Sequence, residues 1–137
     1  MDPLSVGAGA IAFITIAIQA SKVICEILSQ VEDSSGLVRD LSRDLEQLRH
    51  ILDRLSKFHS TKTCDRATAL LLRRCSEDVS MYACRLQRVQ VAPAERRTRK
   101  LWKKLTVVVG EKEIHAMKLS IHHHVSSLVL QTNLTQM

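Results

Sequence analysis

Hydrophobic positions recur along this chain at the three-to-four-residue spacing of helices, except in the first segment, where polar positions almost vanish. From Leu4 to Ser21 no side chain ionises, and before Ser21 itself only Ser5, Thr15 and Gln19 are polar. A helix apolar nearly all round, rather than along one stripe, belongs in the middle of a bundle or in lipid. Asp2 can cap its first free N–H groups, and Pro3 then stands where a missing N–H costs nothing. The pattern predicts a helix over about residues 3–30. Gly7 and Gly9 each cost about 1 kcal/mol relative to alanine inside a helix, which points to close backbone approach by another element. The small pairs Ser5/Gly9, Ala8/Ala12 and Ala17/Ser21 fit the same idea.

The second period is the clearest. Leu37, Leu41, Leu45, Leu48, Leu52 and Leu55 fall on one face, with Arg39, Asp40, Arg43, Asp44, Glu46, Arg49, Asp53 and Arg54 around the rest, and a helix is expected over 35–58. The polar run Glu32 to Gly36 precedes it as turn and cap. A third helix over 63–91, capped by Thr63 and opened by Asp65, carries the stripe Leu72, Cys75, Val79, Tyr82, Leu86 and Val89. Joined by a short loop, these two helices read as an antiparallel αα-hairpin. Pro93 closes the third helix through the residue before it. A short helix over 95–108 ends at Gly110, with Val107-Val108-Val109 open to a strand reading. A last helix over 111–134 has Glu111 and Glu113 at its positive end and the face Ile114, Met117, Ile121, Val125 and Leu128. The fold class is all-α: a four-to-five-helix bundle, one domain over 1–137, with an apolar N-terminal helix.

Composition sharpens the first segment without deciding it. Eighteen uncharged residues reach roughly 27 Å as a helix, the lower edge for a hydrocarbon core of about 30 Å. A secretory signal would carry positive charge ahead of the apolar run, whereas Asp2 is there and no Lys or Arg precedes Lys22. A transmembrane anchor and a core helix with conditional access to lipid remain in competition. The cysteines Cys25, Cys64, Cys75 and Cys84 show no C-x-x-C spacing and read as small reduced hydrophobes of a cytoplasmic protein.

Net charge is +6, and Arg96, Arg97, Arg99, Lys100, Lys103 and Lys104 place six cations in nine residues around the sole tryptophan, Trp102. An indole among cations suits a membrane interface, where each basic side chain gains about 1 kcal/mol near an anionic surface. Nucleic acid ranks below lipid, since aromatic residues make up 3% of the chain and no recognised module for it is present. No nucleotide loop, metalloprotease helix or nucleophile elbow occurs, so catalytic residues and cofactors are assigned as none. His122-His123-His124 with His115 raises metal binding, but successive helical residues point about 100° apart and cannot share one ion. The metal assignment is also none, and the run reads as exposed helix surface.

The opening Met1-Asp2-Pro3-Leu4-Ser5-Val6, the apolar first helix, the Arg-Asp-Leu-Glu-Gln-Leu pattern at 43–48, and Lys100-Leu101-Trp102-Lys103-Lys104 ahead of Glu113-Ile114 resemble one known family. It is the HeLo-like fungal N-terminal domain of STAND-type immune receptors, also described as the azaphilone pigment cluster protein N-terminal domain, and the likeness spans nearly the whole chain. The resemblance implies a cytoplasmic, non-enzymatic effector in cell-death signalling. On oligomerisation, its first helix would leave the bundle for the plasma membrane. The inserting residues would be Leu4, Val6, Gly7, Gly9, Ile11, Phe13, Ile14, Ile16 and Ile18, with the cationic segment holding the anionic leaflet. On that expectation Gly9→Leu or a charge at Ile14 blocks insertion. The alternative is a soluble adaptor bundle for other signalling proteins, its first helix permanently buried. No nucleotide switch or sensor lies within these 137 residues.

Overall fold

In the computed structural model, residues 3–31, 36–59, 66–88, 103 and 105–135 are described, with side chains of 3–8, 58, 59, 134 and 135 left aside. Four long helices carry them: α1 (Pro3–Leu28), α2 (Leu37–His59), α3 (Arg66–Gln87) and α4 (Glu111–Thr135), with a single π-helical turn, Thr106–Gly110, leading into α4. No strand occurs among the described residues. The valines at 107–109 therefore sit on a π turn rather than a strand. Most of the expected helix over 95–108 and the caps at Asp2, Thr63 and Asp65 lie outside the described residues.

The leucine stripe of α2 is the heart of the core: Leu41, Leu45, Leu48 and Leu52 are at most 1% exposed, flanked by buried Leu37 and Leu55. Leu72, Cys75, Val79, Tyr82 and Leu86 of α3, and Ile114, Met117, Ile121, Val125 and Leu128 of α4, meet it as the periods require. Burying one such aliphatic side chain contributes about 1.5–3 kcal/mol. In α1 a seam emerges that the sequence hides. Ala10, Ile14, Ala17, Ser21, Ile24 and Leu28 are buried at steps of four and three, with Ala20 and Ile27 beside them. That is the spacing of a helix turned toward two neighbours.

Those neighbours are α2 and α3, and α4 in turn packs on both. The helices therefore stand around a ring in the order α1, α2, α4, α3. The expected α2–α3 hairpin is not the packing observed: those two helices are diagonal, separated by the α1 and α4 seams. Directions follow from cross-helix pairs. Asp40 meets Lys118 and Asp44 faces His122, so α4 runs parallel to α2. Arg85 meets Glu113 and Asp78 meets His124, so it runs antiparallel to α3. One pole of the bundle thus gathers the start of α2, the end of α3 and the start of α4.

Two glycines with left-handed φ make the corners. Gly36 (φ 83°) precedes α2, its carbonyl accepting from Asp40 N–H at 3.0 Å, and Gly110 (φ 95°) ends the π turn so that α4 can begin at once. The end of α1 tightens into three-residue bonds, Gln30 N to Ile27 O and Val31 N to Leu28 O, both 3.1 Å.

Candidate functional site

Because α1 occupies a corner of the ring rather than its centre, half its circumference faces outward. Ile11 (42% exposed), Ala12, Thr15, Ile16 (46%) and Gln19 are exposed along it, while Ile14 on the opposite side is 1% exposed. Thr15 hides its hydroxyl from an apolar surrounding by donating back to Ile11 O at 3.0 Å. Residues Gly9–Leu28 are long and apolar enough to cross a membrane by length and composition, and 39% of the window is buried inside the bundle. Both a core helix and a spanning helix satisfy that test.

Of the nine residues expected to insert, Ile11 and Ile16 are exposed, Gly9, Phe13 and Ile18 are half-buried, and Ile14 is in the core. Leu4, Val6 and Gly7 belong to the helix, their side chains outside the description. Two expectations change as a result. A charge at Ile14 would strike the bundle itself, because it would sit unpaired in the core. Gly9 is not a point of close approach: a Cβ built there meets only Phe13 Cε2 of its own helix, at 3.9 Å.

What holds α1 differs from what holds α4. All four contacts that join a carboxylate to a basic side chain between helices among the described residues belong to α4: the ion pairs Asp40–Lys118 (3.2 Å) and Arg85–Glu113, and the histidine contacts Asp44–His122 (3.6 Å) and Asp78–His124 (2.7 Å). None involves α1, whose attachment is apolar packing by a seam of alanines, isoleucines and a serine. Ser21 Oγ, buried in that seam, has no hydrogen-bond partner. Beside the middle of the seam, Ile18 and Lys22 face Glu46, Arg49, His50 and Asp53 of α2 across an open groove of about 540 Å³. Cys25 lies beside Arg49; burial pushes its thiol up, with the guanidinium opposing.

The histidine run is exposed surface at His122 and His123, as expected, but not at His124. His124 is 8% exposed and paired to α3, His122 reaches toward α2, and only His123 and His115 stay exposed without such a contact. Nothing in the residue spacing announces these partners, since Asp44 and Asp78 belong to other helices. No group of three His, Cys, Asp or Glu stands at metal-binding distance among the described residues. The cysteines divide: Cys75 is a core residue whose thiol burial pushes up to about 12, Cys25 is half-buried, Cys84 is exposed against expectation, and Cys64 lies outside the described residues.

Of the cationic segment, Lys103 is described and exposed; Arg96, Arg97, Arg99, Lys100, Trp102 and Lys104 lie outside the described residues. Its flanks are informative. Arg88 ends α3, and Leu105, fully buried, anchors the chain's return into the bundle at the same pole. Next to Leu105, Val107 is 82% and Val108 59% exposed.

A family model described as pigment biosynthesis cluster protein PigL N-terminal matches residues 1–134. No curated protein and no solved structure matches the chain.

Proposed function

The chain belongs to the PigL N-terminal family of pigment biosynthesis cluster proteins, and from that membership we propose that it is a non-enzymatic N-terminal signalling module whose first helix is its effector. In this reading the bundle stores α1 in the cytoplasm, self-association frees it, and it enters the plasma membrane in cell-death signalling of the kind HeLo-like domains of STAND-type receptors serve. The observation that carries the reading is the manner of α1's attachment. A helix of membrane-spanning length, uncharged as far as Ser21, keeps an apolar outer face bare at Ile11 and Ile16 and makes no ion pair to the helices beside it among the described residues, whereas α4 is pinned to both its neighbours.

Point variants test this better than truncation, because removing α1 would take Ala10, Ile14, Ala17 and Ala20 out of the core. Ile16→Lys lies on the outer face and changes stability by no more than about 0.5 kcal/mol. A lysine near the middle of a spanning helix costs about 2.5–3.5 kcal/mol, so it abolishes dye leakage from phosphatidylserine vesicles. Ile14→Lys instead unfolds the protein in circular dichroism, costing about 4 kcal/mol or more. Leakage by the Ile16→Lys protein equal to that of the parent sinks the proposal.

The second reading is the adaptor, in which α1 never leaves. It is favoured by the depth of the seam, with Ala10, Ile14, Ala17 and Ile24 at most 1% exposed. A folded parent protein that neither binds nor permeabilises vesicles, yet forms a stable complex with another signalling protein, decides for it.

A further inference from the structure

The π turn ahead of α4 exposes two of the largest apolar surfaces among the described residues, Val107 and Val108. Single exposed aliphatics are ordinary on a protein surface, and Leu119 and Leu130 are others here; Val107 and Val108 stand side by side on one turn. Their setting is cationic. Lys103 stands one turn before them, its carbonyl accepting the Thr106 hydroxyl at 2.9 Å, and Lys112 follows Gly110 and the exposed Glu111; both lysines are exposed and neither makes an ion pair among the described residues. Across from Val108 and Val109 lie Arg85 and Arg88 of α3, which with Glu113 line an open cleft of about 330 Å³. Glu113 is engaged by Arg85, so among the described residues the charge left without a partner in the cleft is that of Arg88.

We propose that Val107 and Val108 form an apolar wedge and Arg88, Lys103 and Lys112 its cationic collar, together docking this pole of the folded bundle on an anionic phospholipid surface. A lipid phosphate enters the Arg88 cleft while the valines reach the acyl boundary. The inference rests on the membrane reading above but needs no movement of α1. Charge complementarity selects lipid over a neutral apolar partner. The pairing of two protruding aliphatics with flanking cations matches an interface in which hydrocarbon and headgroup are stacked within a few ångströms.

The test is co-sedimentation of the full chain with phosphatidylcholine vesicles, with and without phosphatidylserine, over a series of salt concentrations. Val107→Ser/Val108→Ser, at exposed positions, keeps the parent's circular dichroism and loses about tenfold or more in affinity with its salt slope intact. Arg88→Gln/Lys112→Gln loses affinity at low salt and flattens the slope. A parent protein that ignores phosphatidylserine overturns the membrane reading and the wedge together. Parent binding with an unaltered valine variant overturns the wedge alone. Binding that needs Arg88 and Lys112 but not the valines reduces the contact to headgroup charge alone, and also overturns the wedge.

Discussion

Successive helical residues point about 100° apart, and His122, His123 and His124 spend that rotation on three different surroundings: α2, solvent and α3. The energetic consequences differ accordingly. His124→Ala removes a buried 2.7 Å contact and leaves Asp78 without its partner. Discounted for the half-exposed carboxylate, a loss of about 1–2 kcal/mol is expected in urea unfolding. His123→Ala, on the open surface, stays within about 0.5 kcal/mol of the parent. Equal losses for the two would refute the assignment of α4's anchor. None of this was legible in the run itself. Ring orientation follows from the helix phase, which Ile121 and Val125 supply, but the aspartates opposite belong to helices whose adjacency no local pattern encodes.

At the scale of the element, the amphipathic helices were readable and the apolar one was not. In α2, charged residues mark the solvent side, so the leucine stripe names the core directly. α1 has no such marks before Lys22 and Glu26 in its last two turns, and the buried seam of its first part is chosen by packing against α2 and α3. The α2–α3 hairpin failed for a related reason: a stripe states which face is buried and is silent about the helix that buries it. Gly9 offers a check on the revised picture. With only Phe13 of its own helix near the added methyl, Gly9→Ala is accommodated. It should raise stability by about 0.4–1 kcal/mol through helix propensity and chain entropy. A drop in melting temperature would restore the close approach first inferred from the sequence.

Across the whole molecule, the two surfaces assigned to lipid stand apart. The chain leaves α1 for α2 at the pole that holds Arg88, Val107 and Val108, so the N-terminal half of α1 lies toward the opposite end, with Ile16 and Ile11 roughly 18 and 26 Å along the helix from Leu28. Docking and permeabilisation are then separable acts. The Ile16→Lys protein should co-sediment with phosphatidylserine vesicles as the parent does while releasing no dye, and the valine variant should lose both. Loss of sedimentation by Ile16→Lys alone would mean that the flank of α1, rather than the pole, meets the membrane first. The +6 charge and its cluster raise the expectation of a docking surface; Lys103 alone of that cluster is described, and the exposed aliphatics that follow it are visible only in the fold.

The ring order of the helices has a topological consequence. Four elements in contact around a ring form a closed cycle, and deleting one vertex from a cycle leaves an unbroken path: here α2, α4, α3. Every inter-helix ion pair among the described residues is an edge of that path. Taking the first helix from such a ring would leave the other three joined to one another, though it would also strip α2 and α3 of the seam that Ala10, Ile14, Ala17 and Ala20 fill.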